Sequence, residues 1–311
     1  MKPLNLVPIK PDLDFIGRKK IFFIFSAFLV ALALGLFLAR GLNFGIDFQG
    51  GILIEVRMPE GGKLAEMRAN LSGLGVGEVA LQEFGQPTDI LIRIQKQEGG
   101  EKAQQVAVEK VKKALGAGDQ YRRTEFVGPQ VSRELFRDGV IAVLLAMVGI
   151  LAYIWFRFEW QFGLGAIIAL LHDVITTIGI FALTGLEFNL STVAAILTIA
   201  GYSINDTVVV YDRVRENLRK YKTMPLTALL NNAINETLSR TVMTSLTTML
   251  ALVSLYVLGG EVIRGFSFAL IWGVIIGTYS SICVAVPLLL HLNVNRGVQT
   301  SGAGKQAEPA G

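Results

Sequence analysis

The chain has 311 residues, of which 52% are hydrophobic and 17% are charged, a composition too apolar for an ordinary soluble domain. Its net charge of +4 is small, so the placement of the charges along the chain carries more information than their sum. A single cysteine, Cys283, excludes an intrachain disulfide, and two histidines, His172 and His291, leave little scope for a histidine-based metal site. We therefore expect a membrane protein.

The N-terminal part of the chain predicts a membrane anchor. Residues 1–20 are polar and basic, and we expect them to form a cytoplasmic N-terminus. Residues 21–40 are almost wholly apolar and long enough to cross a hydrocarbon core of about 30 Å. This run is too long for an ordinary signal peptide, and no A-x-A cleavage pattern follows it. We interpret it as an uncleaved first span.

Residues 41–137 read as an ordinary soluble α+β domain outside the membrane. A first strand is predicted in FGIDFQGGILIEVRM, which alternates and is rich in β-branched residues. Two more strands, EVALQEF and DILIRIQ, are joined by a predicted turn, Gly-Gln-Pro-Thr. With two amphipathic helices and a last strand, YRRTEFVG, the order is β-α-β-β-α-β, which is typical of a ferredoxin-like fold. That fold serves many functions and indicates none of them.

Residues 138–292 predict five more spans. Their expected ranges are 139–156, 163–186, 188–211, 242–258 and 266–292. A cytoplasmic loop, 212–240, separates the fourth span from the short fifth, and we expect it to hold a helix extension, a turn near Pro225 and an interfacial helix. The tail, 293–311, is rich in Gly, Ala and Ser and is expected to be disordered. The fold class is an α-helical polytopic membrane protein with an external domain.

The distribution of cations predicts the orientation, since six spans place both termini on one side. Short loops on the terminal side carry Arg157, Arg213, Arg215, Arg219, Lys220, Lys222 and Arg240, whereas those on the other side carry Arg264. The positive-inside rule places the termini in the cytoplasm and the large domain outside it.

The fourth span contains Asn205 and Asp206, although a carboxylate at membrane depth costs about 2.5–3.5 kcal/mol. On a helix, Tyr202 and Ser203 precede Asp206 by four and three residues and share its face. Arg240, at the start of the fifth span, is a candidate counter-ion. A structural hydrogen bond for the Asp and a snorkelling membrane anchor for the Arg are the alternative interpretations.

The third span contains a second carboxylate, Asp173, which shares a helix face with Thr176 and Thr177. His172 points about 100° away on such a helix. Proton relays use ionisable groups at this depth, but an Asp that holds neighbouring backbone would give the same pattern. His172 alone is more typical of packing or hydrogen bonding than of a metal ligand.

Small residues recur every four positions in the sixth span, at Gly273, Gly277 and Ser281. This ridge suits close helix packing, either within the bundle or against a second subunit. No phosphate-binding loop is present, and no GxSxG motif supports a serine hydrolase built on Ser203 and His172. We therefore expect that the protein is not an enzyme.

Five motifs resemble the SecF family of bacterial protein-export subunits over nearly the whole chain. They read FGIDFQGG, VGPQVSREL, ALLHD, GYSINDTVVVYDRVREN and SRTVMTSLTTML. The resemblance implies one half of an RND-like unit in the inner membrane, completed by SecD. It also implies association with the SecYEG channel, function alongside SecA, and exported preproteins as substrates. A membrane insertase is a further candidate partner, and no nucleic acid is expected.

The resemblance further implies that the proton motive force drives late steps of export and that no cofactor is needed. It connects Asp206 and Arg240 with proton passage, which favours the functional interpretation of Arg240 over a simple anchor. The alternative function is an RND-like exporter of lipids or small molecules. Such an exporter should carry two halves and two external domains, whereas this chain has one of each, so the sequence favours a subunit of a heteromer.

Overall fold

The structure is a computed structural model, and it describes residues 11–58, 64–77, 79–84, 86–97, 99–115, 120–260, 263–292 and 294. The predictions for residues 1–10, for most of the tail 293–311 and for part of the turn before Gln86 therefore lie outside the described residues.

Six long helices carry apolar segments sufficient to cross a membrane within the described part of the chain, as predicted. Five of them are uninterrupted, and the sixth changes its helical winding near its end. Their bounds are α1 Lys19–Arg40, α5 Pro129–Arg157, α6 Trp160–Thr184, α7 Leu190–Lys220, α8 Leu226–Leu258 and α9 Arg264–Ser280, the last continuing through a π-helical turn, Ser281–Ala285, into α10, Val286–Leu288.

The second and fifth spans begin earlier than the sequence predicted. Helix α5 starts at Pro129, which suits the first helical turn because that position needs no backbone donor. Residues 129–137 therefore belong to the helix of the second span and not to the external domain. The prediction of a separate interfacial helix is wrong. Helix α8 is continuous from Leu226 to Leu258 and contains no Gly or Pro that could end it in between. Residues 212–240 are thus two helix ends joined by a short turn before Leu226.

The external domain has the predicted ferredoxin-like order. It contains β2 Gly51–Arg57, α3 Leu64–Ser72, β3 Val79–Phe84, β4 Gln86–Ile94, α4 Gly100–Leu115 and β5 Gln120–Val127. The four strands form an antiparallel sheet in the order β3-β4-β2-β5. Its core is a cluster of buried aliphatic residues between the sheet and the two helices, including Ile54, Leu71, Ile92 and Val111. Two boundaries differ from the prediction, because residues 86–88 belong to β4 and the segment before β2 is a short helix, α2 Ile46–Gln49.

A two-residue strand pair, which the sequence did not predict, joins the start of the external domain to the bundle. Strand β1, Asn43–Phe44, pairs in parallel with β6, Glu187–Phe188, between α6 and α7. The Asp47 carboxylate accepts the backbone N–H of Leu190 at 2.9 Å, at the first turn of α7. Arg93 of β4 also forms an ion pair with Glu187. The domain is therefore held against the loop that begins the fourth span.

Candidate functional site

Buried polar side chains concentrate where α6, α7 and α9 meet. Asp173 of α6 is 0% exposed and Asp206 of α7 is 7% exposed, and both lie among apolar residues. Because an uncompensated charge in such surroundings is costly, the hydrogen bonds of each carboxylate decide what it can do.

Asp173 is surrounded by donors. The Ser203 hydroxyl of α7 donates to its Oδ2 at 2.6 Å, and the Ser280 hydroxyl of α9 donates to the same oxygen at 2.8 Å. Its Oδ1 lies 3.0 Å from Nδ1 of His172. The Thr176 and Thr177 hydroxyls instead donate to the Asp173 backbone carbonyl, at 3.1 and 2.7 Å. The carboxylate thus joins three helices and has both oxygens satisfied.

Asp206 differs, because its Oδ2 is buried without a hydrogen-bond partner among the described residues. Ser203, which the sequence placed on its face, donates to Asp173 instead. The Tyr202 hydroxyl is directed to Ser245 of α8, at 3.5 Å. Tyr202 and Ser203 therefore bind groups on other helices and not Asp206, because α7 packs with Ser203 toward α6.

Arg240 lies on α8, near Asp206 but not in contact with it. No ion pair within 4.0 Å joins the two in the described part of the chain, and Arg240 is exposed. The next residue, Thr241, is buried beside Asp206, but its hydroxyl does not meet hydrogen-bond geometry with any described group. The fifth span therefore presents a hydroxyl to Asp206, and the guanidinium lies to one side.

The small-residue ridge packs within the bundle, which resolves the alternative left open by the sequence. A Cβ at Gly273 would collide with Ile199, and a Cβ at Gly277 would lie 3.2 Å from the Cβ of Ser203. The Ser281 hydroxyl lies 2.8 Å from that of Thr207. The ridge brings α9 close enough to α7 for Ser280 to reach Asp173.

Ser280 and Thr207 are the site residues that sequence reasoning missed. Ser280 is the last residue of α9, directly before the π-helical turn. Such turns are frequent at functional sites, but they cannot be read from composition. The adjacent pair of serines within an apolar span was the available signal.

His172 connects the Asp173 cluster to the first span. Its Nε2 is buried without a partner among the described residues, and its ring centroid lies 6.0 Å from that of Tyr279. The Tyr279 hydroxyl lies 2.9 Å from the Ser26 hydroxyl of α1 and donates to the Phe22 carbonyl, also at 2.9 Å. No three His, Cys, Asp or Glu side chains within the described ranges are grouped to hold a metal ion.

Comparison with known proteins gives matches along almost the entire chain. Residues 107–295 match the family described as the C-terminal part of the protein export membrane proteins SecD and SecF, and residues 35–58 match the SecD/SecF GG motif. The protein translocase subunit SecF of Cereibacter sphaeroides is 49% identical, with 97% of each chain covered. SecF of Rickettsia rickettsii is 48% identical, with 94% of this chain and 96% of the relative covered.

Two solved structures of SecDF, a translocon-associated membrane protein, share the fold. The SecDF of Thermus thermophilus matches with a TM-score of 0.84 and 38% identity, covering 92% of this chain and 39% of the longer one. SecDF in a super-membrane-facing form matches with a TM-score of 0.68, covering 93% of this chain and 40% of that one. The chain thus corresponds to about two fifths of a SecDF chain. None of these matches favours an exporter of lipids or small molecules. The composition of the chain, its six spans, its external domain and the relatives that match almost its whole length all indicate the same family. The chain belongs to the SecF family of protein translocase subunits.

Proposed function

We propose that this chain couples the proton motive force to late steps of protein export, with Asp206 as the group that takes up and releases protons. The observation that carries the proposal is the open Oδ2 of Asp206, buried in a membrane span without a partner among the described residues. A buried carboxylate retained without full compensation is costly, and proton-driven membrane proteins keep such groups for transport. Asp173, whose oxygens are both satisfied, serves in this scheme to fix α6, α7 and α9 around the site.

The energy available suits such a role. One proton moving down a potential of 100 mV gains about 2.3 kcal/mol, which changes a two-state equilibrium about fiftyfold. The external domain is held by short contacts at Glu187 and Leu190, directly before the span that carries Asp206. A small shift of α7 on proton uptake can therefore reach the external domain through the start of that helix.

Arg240 is proposed to approach Asp206 during part of the cycle. Its side chain is exposed and has no ion pair within 4.0 Å among the described residues, so it is free to change position. When the guanidinium lies near the carboxylate it favours proton release, and when it lies away it favours uptake.

SecD is the proposed partner, and α7 offers a surface for it. One face of this helix is exposed and small or polar along the bilayer, at Ser191, Ala194, Thr198, Gly201 and Asn205. An amide such as that of Asn205 is poorly matched to lipid, whereas small and polar residues favour close helix contacts. A partner helix on this face would also cover the approach to Asp206. We expect Gly201→Leu to reduce copurification of SecD, with Gly149→Leu, an exposed glycine of α5 that likewise has nothing within 4 Å, as its control.

The remaining assignments follow from orientation and family. The cation-rich ends of α5 and α7 support cytoplasmic termini, an extracytoplasmic external domain and an inner-membrane location. We propose that the complex acts with SecYEG after the ATP-driven step of SecA, on preproteins emerging from the channel, without enzymatic chemistry or a cofactor of its own. A membrane insertase is a further proposed partner.

The test is Asp206→Asn, which keeps the size of the side chain but removes the titrating group. Export of a secreted reporter is measured in vesicles energised with ATP, with and without a proton gradient, and SecD-bound protein is quantified. We expect a normal complex and complete loss of the gradient-dependent increment. Asp138→Asn, an exposed carboxylate on α5, should behave as the unaltered chain. Normal gradient-dependent export by Asp206→Asn would refute the proton-carrying role.

A further inference from the structure

A cleft lies at the cation-rich end of the bundle, away from the two buried carboxylates. Its volume is about 450 Å³, and it opens between the end of α5 and the extension of α7 beyond the membrane. Its lining residues are Arg157, Asp212, Arg215, Glu216, Arg219 and Lys220. This volume lies within the range of about 300–1,000 Å³ that is usual for ligand sites.

The cations of the cleft are not balanced by its carboxylates. Asp212 is bound by Arg157, whose Nη2 lies 2.8 and 3.1 Å from its two oxygens, and Glu216 pairs with Arg213 at 3.0 Å. Arg215, Arg219 and Lys220 have no carboxylate within 4.0 Å in the part of the chain that the structure describes. Four cations therefore line the cleft against two carboxylates, each of which already forms an ion pair with an arginine, so the lining carries a net positive charge.

Two of the guanidinium groups are held in place. Arg157 and Arg215 both lie over the ring of Phe158, with their Cζ atoms 5.1 and 5.3 Å from its centroid. Arg215 also donates to the Arg157 backbone carbonyl at 3.1 Å, at the end of α5. Because these side chains are already held in place, little side-chain entropy is lost when an anion binds to them.

The surface next to the cleft is apolar and aromatic. Phe156 is 91% exposed and Trp160 is 60% exposed, on either side of the Phe158 segment. Leu164 and Ile168 continue the exposed apolar surface along α6. Aromatic side chains concentrate at the membrane interface, at the level of lipid headgroups, so the cleft lies where a phosphate and acyl chains meet.

We propose that the cleft binds an anionic phospholipid, with its phosphodiester headgroup on Arg215, Arg219 and Lys220 and its acyl chains against the aromatic surface of α5 and α6. Charge complementarity specifies the headgroup, and the adjoining exposed apolar surface favours a lipid over a free anion. The site goes beyond the proposed function, since it does not involve Asp206 or its neighbours.

Quenching of tryptophan fluorescence by brominated lipids tests the proposal. The chain has three tryptophans, two of them near the cleft, so Trp272→Phe leaves Trp155 and Trp160 as reporters. The full chain is reconstituted in mixed bilayers, and quenching by brominated phosphatidylglycerol and cardiolipin is compared with quenching by brominated phosphatidylcholine. We expect the anionic lipids to be preferred by more than about fivefold, since each Lys or Arg at the surface contributes about that factor.

Arg219→Gln with Lys220→Gln should reduce this preference by up to about twenty-fivefold or abolish it, because each cation contributes about fivefold. The matched control is Arg18→Gln with Lys20→Gln, which removes one exposed Arg and one exposed Lys at the same end of the bundle. The swap Arg219→Lys with Lys220→Arg keeps both charges and should keep the preference. An equal loss in the control pair would show a general surface-charge effect and overturn the site. Displacement of quenching by millimolar pyrophosphate would identify a free-anion site and also overturn the lipid proposal.

Discussion

Asp173 and Asp206 lie on neighbouring helices of one bundle, but the two carboxylates differ in their hydrogen bonds. Asp173 receives hydroxyl donors from α7 and α9 and is in contact with His172, whereas Asp206 retains a buried oxygen without a partner among the described residues. A polar network with all its hydrogen bonds formed makes a core rigid, whereas a buried polar group without a partner is destabilising and is often retained for function. This difference supports the proposal that Asp173 positions the helices and that Asp206 carries the proton.

The largest expected difference between the two sites is in stability. In Asp173→Asn, the serine hydroxyls lose a charged acceptor, and the amide NH₂ group can face His172 only when Nδ1 of the imidazole is the unprotonated nitrogen. We expect a cost of about 2–4 kcal/mol and less folded protein, measured by thermal unfolding of the detergent-solubilised chain. Asp206→Asn should unfold at the same temperature or a higher one, because it removes a buried carboxylate whose Oδ2 has no hydrogen-bond partner among the described residues. Equal destabilisation by both substitutions would end the distinction.

Arg240 sharpens the functional side of the comparison. Arg240→Ala should lower gradient-dependent export about tenfold or more while leaving membrane insertion unchanged, because the guanidinium is proposed to act on Asp206. Arg240→Lys keeps the positive charge but loses the planar fork, so partial recovery is expected. Full recovery with Lys would favour a membrane anchor, because that role needs only a charge. Export with and without the gradient is the measurement.

Gly277 tests whether helix packing maintains the Asp173 network. A Cβ there would lie 3.2 Å from the Cβ and 3.4 Å from the Oγ of Ser203, the residue that donates to Asp173. Gly277→Ala should therefore cost about 1–3 kcal/mol in thermal unfolding, since this part of the bundle has no free space. Gly201→Ala, on the exposed face of α7 with nothing within 4 Å, should be neutral or slightly stabilising. No difference between the two would indicate that α9 adjusts without affecting Ser203.

Glu187 extends the comparison to a carboxylate outside the membrane, where the expected effect is smallest. Burial raises the pKa of Glu187, although the Arg93 guanidinium opposes this shift. The folded chain therefore holds this proton to higher pH than the unfolded chain, and the associated stability is lost as pH rises through the folded pKa. Glu187→Gln should then stabilise the chain at pH 8 relative to pH 5, by less than about 1 kcal/mol, in paired thermal melts. Destabilisation at pH 8 would mean that the ion pair outweighs burial.

Several features of this architecture could be predicted from sequence because they depend on local pattern. Length and hydropathy identified the six spans, and alternation identified the strands of the external domain. Helix boundaries were less accessible, as α5 and α8 show, because a helix continues past the membrane wherever no residue ends it. The pairing of β1 with β6 joins two-residue strands far apart in the chain, and no local pattern announces such a contact.

The sequence by itself determined that Asp173 and Asp206 lie inside membrane spans, because their apolar flanks leave no other place for them. Only the tertiary structure decided which of them is satisfied. Ser203 precedes Asp206 by three residues, and helical periodicity put the two on one face. The approach of α9 along Gly273 and Gly277 instead directs Ser203 and Ser280 to Asp173. Periodicity fixes angles around one helix axis, whereas hydrogen-bond partners depend on how neighbouring helices are rotated and how closely they approach.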